Sequence, residues 1–179
     1  VPTRGVIALC DFGGTGTSIT LVDAAKGYAP IGPTVRHTDF SGDLVDQALL
    51  THVINDLSAA GTIDLSGTSA IGSLTRLRGQ CRGAKERLST SAVTPLAVEL
   101  PGHRSDVRVT RNELDAAVRQ PLDDFVGVVQ ETLERSGIRP GELVAVASVG
   151  GGARMPIITT TLSEHFRVPV ITTGQPELT

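Results

Sequence analysis

Tryptophan is absent and aromatic residues make up only 3% of the chain. A stacking platform for bases or sugars is therefore excluded, and the interior must be built from Val, Ile, Leu and Ala. Cysteine is scarce too. Cys10 sits in an apolar run and Cys81 in a polar, helix-like stretch, with no CxxC or His-rich spacing around either, so no metal site is expected and both thiols are expected to be unpaired and reduced. Lysine occurs only as Lys26 and Lys85, the arginines are scattered, and the net charge is -3 with a pI near 5.8. That balance lacks the basic footprint of a nucleic-acid binder.

No stretch approaches about 18 consecutive apolar residues, and the opening VPTRGV has no charged segment leading into an apolar one. Neither a membrane span nor a secretion signal is expected. The piece should be soluble and cytoplasmic, and any membrane association of a parent would come from segments outside it. The chain begins with Val1 rather than Met, so its ends read as cut points within a longer protein.

With 40% hydrophobic residues in 179, the chain can bury a sizeable core as one compact domain or two small subdomains. GVIALCDFGGTGTSITLVDA reads as an apolar strand near 5–11, a Gly/Thr turn and an alternating strand near 17–23. An extended stretch at 34–38 leads to Ser41, a plausible N-cap, and a helix carrying Leu44, Val45, Leu49, Val53 and Leu57. A polar connector follows at 61–68, then an amphipathic helix over 71–88 with Leu74, Leu77, Cys81, Ala84 and Leu88 on one side.

Between 91 and 109 the pattern alternates through Val93, Leu96, Val98, Leu100, Val107 and Val109, with Pro101-Gly102 between the two halves, which predicts a hairpin. Thr110 and Glu113 form a capping-box signature, opening a helix that Pro121 should break or restart. The helix ends at Ser136-Gly137. A buried strand at 143–149, three glycines at 150–152, a helix opened by Met155-Pro156 and an extended segment at 168–171 complete the chain.

Two segments are suited to holding an anion. In Asp11-Phe-Gly-Gly-Thr-Gly-Thr17 the glycines let backbone N–H groups approach a phosphate and the threonines add donors, although such a sequence is also an ordinary turn. In Val149-Gly-Gly-Gly-Ala-Arg154 a strand-to-helix junction could seat a ligand, with Arg154 stacking on a base. A GxGxxG fingerprint is missing, which disfavours dinucleotide binding. His37, His52, His103 and His165 stand apart from one another in sequence and no GxSxG elbow occurs, so a Ser-His-Asp site is not expected.

Taken in order, DFGGTGTSITLVD, FSGDLVDQALL, RLRGQCRGAKERLSTS, VTRNELDAAVRQPLDDF and VAVASVGGGARMP resemble the nucleotide-binding domain of the DnaK-type heat-shock protein 70 family over nearly the whole chain. The glycine motifs are shared with actins and sugar kinases, whereas GAKERLSTS and GGGARMP look specific to the chaperone branch. The resemblance implies an α/β fold, one lobe of an actin-like (ribonuclease H-like) ATPase. It implies the second lobe only: a discontinuous base at 1–40 and 111–179, and a smaller α+β cap of two helices and a hairpin at 41–110. ATP or ADP with Mg2+ would bind in the full-length protein, where the missing first lobe and client or regulatory proteins are the implied partners.

Carried over by residue, the resemblance makes Asp11 the carboxylate that positions the attacking water. It places Gly13, Gly14, Thr15 and Gly16 on the phosphate turn, Arg82, Lys85 and Ser89 at the nucleoside from the cap helix, and Gly150, Gly151, Gly152 and Arg154 beside the adenine. The chain departs from the family at several of these positions. Its turn reads Gly-Gly-Thr-Gly where the family has Gly-Gly-Gly-Thr, and Ser18 stands where the family has an acid near the bound cation. Arg82 and Glu86 carry signs opposite to the family's, and their four-residue spacing predicts that they pair with each other. Two readings follow: an ATP-binding chaperone-like ATPase whose isolated lobe is silent, or a degenerate pseudo-ATPase acting as a regulatory or interaction module. A carbohydrate or acetate kinase relative is a third, against which the cap helix argues.

Overall fold

The computed structural model describes residues 1–59, 61 and 69–172. The chain divides into two compact units, residues 1–42 with 120–179, and residues 43–119.

In the first unit a sheet forms from β1 (Val6–Phe12), β2 (Thr17–Asp23), β3 (Ala29–Pro30), β4 (Val35–His37), β7 (Leu143–Gly150) and β8 (Val170–Thr172), ordered β3-β2-β1-β7-β8 with β4 also paired to β2. β1 is antiparallel to β2 and parallel to β7, and β7 is parallel to β8. A strand enclosed in this way reads as a near-continuous apolar run, and Val6, Ile7, Ala8, Cys10 and Phe12 are all buried. β2 faces a less enclosed environment and alternates: Thr17, Ile19 and Leu21 are buried while Ser18 and Thr20 are only partly so. Parallel pairing of β7 with β8 needs a crossover, supplied by a short 3-10 turn at Gly151–Arg154 and α4 (Pro156–Phe166), whose proline occupies the first turn where no N–H is needed.

Beneath the Gly13 end of β1 lies an aromatic cluster. Phe12, Phe40 and Phe125 meet edge to face with ring centroids 5.3 to 6.0 Å apart, and His37 tilts against Phe125 at 5.9 Å. Three of the four phenylalanines are thus spent under one turn.

The second unit holds most of α1 (Gly42–Ala59), α2 (Ser69–Leu88), the hairpin β5 (Val93–Leu100) and β6 (His103–Thr110), and the start of α3 (Arg111–Arg135). On α2, Ala70, Leu77, Cys81, Ala84 and Leu88 form the buried stripe, and β5 packs on this helix. The hairpin turns at Pro101 and Gly102, the latter at φ +72, as a two-residue type II turn requires. Of the connector expected at 61–68, only Gly61 falls within the described residues.

Two expectations need correction. The inward face of β5 is Thr94, Leu96, Val98 and Leu100, and Val93 is 38% exposed: an odd-numbered residue cannot share a strand face with even-numbered ones. Pro121 neither breaks nor restarts the helix, since α3 runs unbroken from Arg111 to Arg135. The lost backbone bond costs about 3 kcal/mol, but Leu114, Val118, Leu122, Phe125, Val126, Val129 and Leu133 keep helical spacing across it and are all buried. At about 1.5–3 kcal/mol per large apolar side chain, that stripe outweighs the defect.

Candidate functional site

In the first unit the two glycine segments come together. The register of β1 and β7 sets Asp11 beside Val149 and Phe12 beside Gly150, so both strands deliver their loops at the same sheet edge. Gly150 has φ +89, and a Cβ there would lie 2.4 Å from the Phe12 carbonyl oxygen and 2.8 Å from Asp11 Oδ1. A Cβ on Gly152 would come within 2.9 Å of Phe12 Cβ. Glycine is therefore demanded by close backbone approach as well as by conformation. Positions 14 and 151 face open space, and Arg154 ends the 3-10 turn, exposed. The carboxyl ends of parallel strands in an α/β sheet are where such folds bind ligands.

The turn itself is closed by Gly13 N–H donating to the Gly16 carbonyl at 2.9 Å and tied down by Gly42 N–H, at the start of α1, donating to the Gly13 carbonyl at 3.0 Å. Thr17 Oγ1 donates to the Phe40 carbonyl at 2.8 Å. Asp11, Gly13, Gly14 and Thr15 are exposed, whereas Gly16 is buried.

Asp11 on β1 pairs with Ser18 on β2, which pairs with Arg36 on β4, placing the three in one row across the sheet and on one face. Arg36 Nη2 donates to Thr15 Oγ1 at 2.9 Å. Sequence reasoning missed Arg36, because nothing in the spacing of a three-residue strand announces that it pairs beside a distant glycine turn.

In the second unit α2 carries the residues assigned to the nucleoside. Lys85 Nζ lies 2.7 Å from Asp46 Oδ1, forming an ion pair. Asp46 is buried on α1, with its side chain 5% exposed. Arg82 Nε stands 3.9 Å from the other Asp46 oxygen. The pairing expected between Arg82 and Glu86 is thus replaced: the buried carboxylate of Asp46 is the stronger attractor, since an exposed Glu86 competes with water for the same guanidinium. Ser89 Oγ donates to the Glu86 carbonyl at 2.6 Å, closing the last turn of α2. Burial, and after it the charge of Asp46, pushes the Cys81 thiol up to about 11. Burial alone pushes Cys10 up to about 12.

The same unit brings together residues that the sequence keeps apart. His52 Nε2 lies 2.7 Å from Glu113 Oε2 and 3.4 Å from Asp56 Oδ2, the three groups lying within 4.8 Å of one another. Glu113 Oε1 meanwhile accepts from Thr110 N–H at 3.0 Å and Thr110 Oγ1 at 2.9 Å, and Glu113 N–H donates to Thr110 Oγ1 at 3.1 Å, forming the capping box. Partial burial pushes the Glu113 carboxyl up, but the hydrogen bonds with His52 and Thr110 together hold it below its ordinary value.

No helix among the described residues is long and apolar enough to cross a membrane. A family model described as "Hsp70 protein" matches residues 3–177. The chain is 29% identical over 164 residues to a heat shock cognate HSP70 protein of Trypanosoma brucei brucei, covering 90% of this chain and 24% of that one. It is 27% identical over 158 residues to chaperone protein DnaK of Cenarchaeum symbiosum (85% and 24% covered), and 24% identical over 165 residues to DnaK of Nitrosopumilus maritimus (88% and 26%). It spans about a quarter of the length of these curated relatives. A mixed α/β architecture with paired glycine turns at one sheet edge, matched to one family over nearly its whole length, leads to one assignment: the chain belongs to the Hsp70 protein family and has the α/β fold of an actin-like ATPase lobe.

Proposed function

We propose that this chain is the second lobe of the ATP-binding domain of a DnaK-type chaperone, supplying half of an ATP site and unable to turn nucleotide over alone. The observation that carries this reading is the meeting of Gly13–Gly16 with Gly150–Arg154 at the carboxyl ends of β1 and β7, with Asp11 at the junction. Backbone N–H groups of the first turn wrap phosphate, Asp11 orients the attacking water, and the second glycine segment with Arg154 flanks the adenine. From α2, Lys85, Ser89 and Arg82 contribute to the nucleoside.

The residues present suit Mg2+ carried in with the nucleotide. Asp11 offers one carboxylate and Ser18, its cross-strand partner, one hydroxyl, a donor set fitting an ion that keeps water and phosphate ligands. The full-length protein would work in the cytoplasm with a first lobe, closing on the nucleotide, and with client proteins. Neither the family match nor the relatives' names favour the degenerate reading.

The test is calorimetric titration of Mg-ATP into the full-length protein beside a phosphate-release assay. Micromolar or tighter binding is expected, with release reduced at least about a hundredfold in Asp11→Asn. Absence of binding at millimolar ATP would leave a scaffold whose work lies in its partners.

A further inference from the structure

Gly16 poses a question that the backbone does not answer. Unlike Gly150, it has no left-handed φ, so its conformation is open to other residues. What a side chain there would meet is a guanidinium: a Cβ would lie 2.9 Å from Arg36 Nη2 and 3.1 Å from Arg36 Cζ. The missing side chain at position 16 makes the space in which Arg36 lies against the turn.

Arg36 is held there by donating to Thr15 Oγ1, which engages one of its five N–H donors. No carboxylate among the described residues comes within ion-pair distance of it. Its registered neighbour on β2 is Ser18, which carries no charge to neutralise it. It shares a sheet face with Asp11, two strands away. An exposed cation with uncompensated charge and a planar donor fork thus lies against a glycine turn that is open to space at position 14. Phosphate matches that fork through parallel, charge-assisted hydrogen bonds.

We infer that Arg36 is the cationic anchor of the Gly13–Gly16 turn and grips the phosphate chain of the bound nucleotide. The exchange of threonine and glycine at positions 15 and 16 serves this arrangement, since Thr15 orients the guanidinium and Gly16 admits it. The inference rests on the nucleotide reading for its ligand class and adds a residue to it.

The test is titration of ATP, adenosine and inorganic tripolyphosphate into the full-length protein and its Arg36→Gln and Arg36→Lys variants, with thermal melts to check folding. Arg36 is exposed, so all three proteins should melt together. ATP and tripolyphosphate affinity should fall roughly ten- to a hundredfold in Arg36→Gln and by less in Arg36→Lys, with adenosine unchanged. Equal ATP affinity in wild type and Arg36→Gln overturns the inference and leaves the nucleotide reading standing. Arg36-dependent tripolyphosphate binding without any gain from adenosine removes the nucleotide reading and keeps the phosphate anchor. Failure of all three ligands at millimolar concentration overturns both.

Discussion

Lys85 illustrates how one side chain can be claimed by two roles. The proposed function directs it to the nucleoside, while in the structure it lies 2.7 Å from the buried Asp46. With the two side chains only 17% and 5% exposed, removing the lysine strands a carboxylate away from water. Lys85→Met should therefore destabilise the fold by about 3–5 kcal/mol in chemical denaturation. Adding Asp46→Asn should recover most of that stability without recovering nucleotide affinity, which separates the structural part from the binding part. Gly150 is a stricter case. Alanine there would need a strained φ of +89 and would press its Cβ against the Phe12 carbonyl. Gly150→Ala should cost about 2–4 kcal/mol, read as a lowered denaturation midpoint, whereas Gly151→Ala, which meets open space, should be nearly silent.

Among the elements, the helix α3 shows both the reach and the limit of reading a sequence. Its start was legible because the Thr110 and Glu113 capping chemistry is local, spaced by three residues, and forms as expected. Its passage through Pro121 was not, because the compensation lies in apolar residues spread over several turns and in what covers them. The contact between His52 and Glu113, 61 residues apart, was likewise invisible, since no local spacing encodes it. It has a measurable effect. Glu113 is held below its ordinary 4.5, so its contribution is present above that pH and drains away as the pH falls beneath it. Thermal melts between pH 6 and about pH 3 should show wild type losing more stability on acidification than Glu113→Gln, which keeps an amide cap but cannot titrate.

At the scale of the whole chain, the α/β class and the order of elements were legible because the apolar runs of β1 and β7 and the periodic stripes of the helices are each readable in isolation. The two glycine motifs were legible as anion-binding candidates. That they meet was not, because their adjacency is created by a parallel pairing across more than a hundred residues. The same pairing separates the units in time. Residues 43–119 contain every strand partner that their hairpin needs, whereas β1 waits beside β2 for β7. On a ribosome that emits the chain from its amino terminus, the intervening unit can settle while the sheet that bears both glycine turns is still lacking β7, the parallel partner of β1. The edge that bears both glycine turns is thus among the last parts of this chain that synthesis can complete, and a nascent polypeptide short of residue 150 carries only the first of the two.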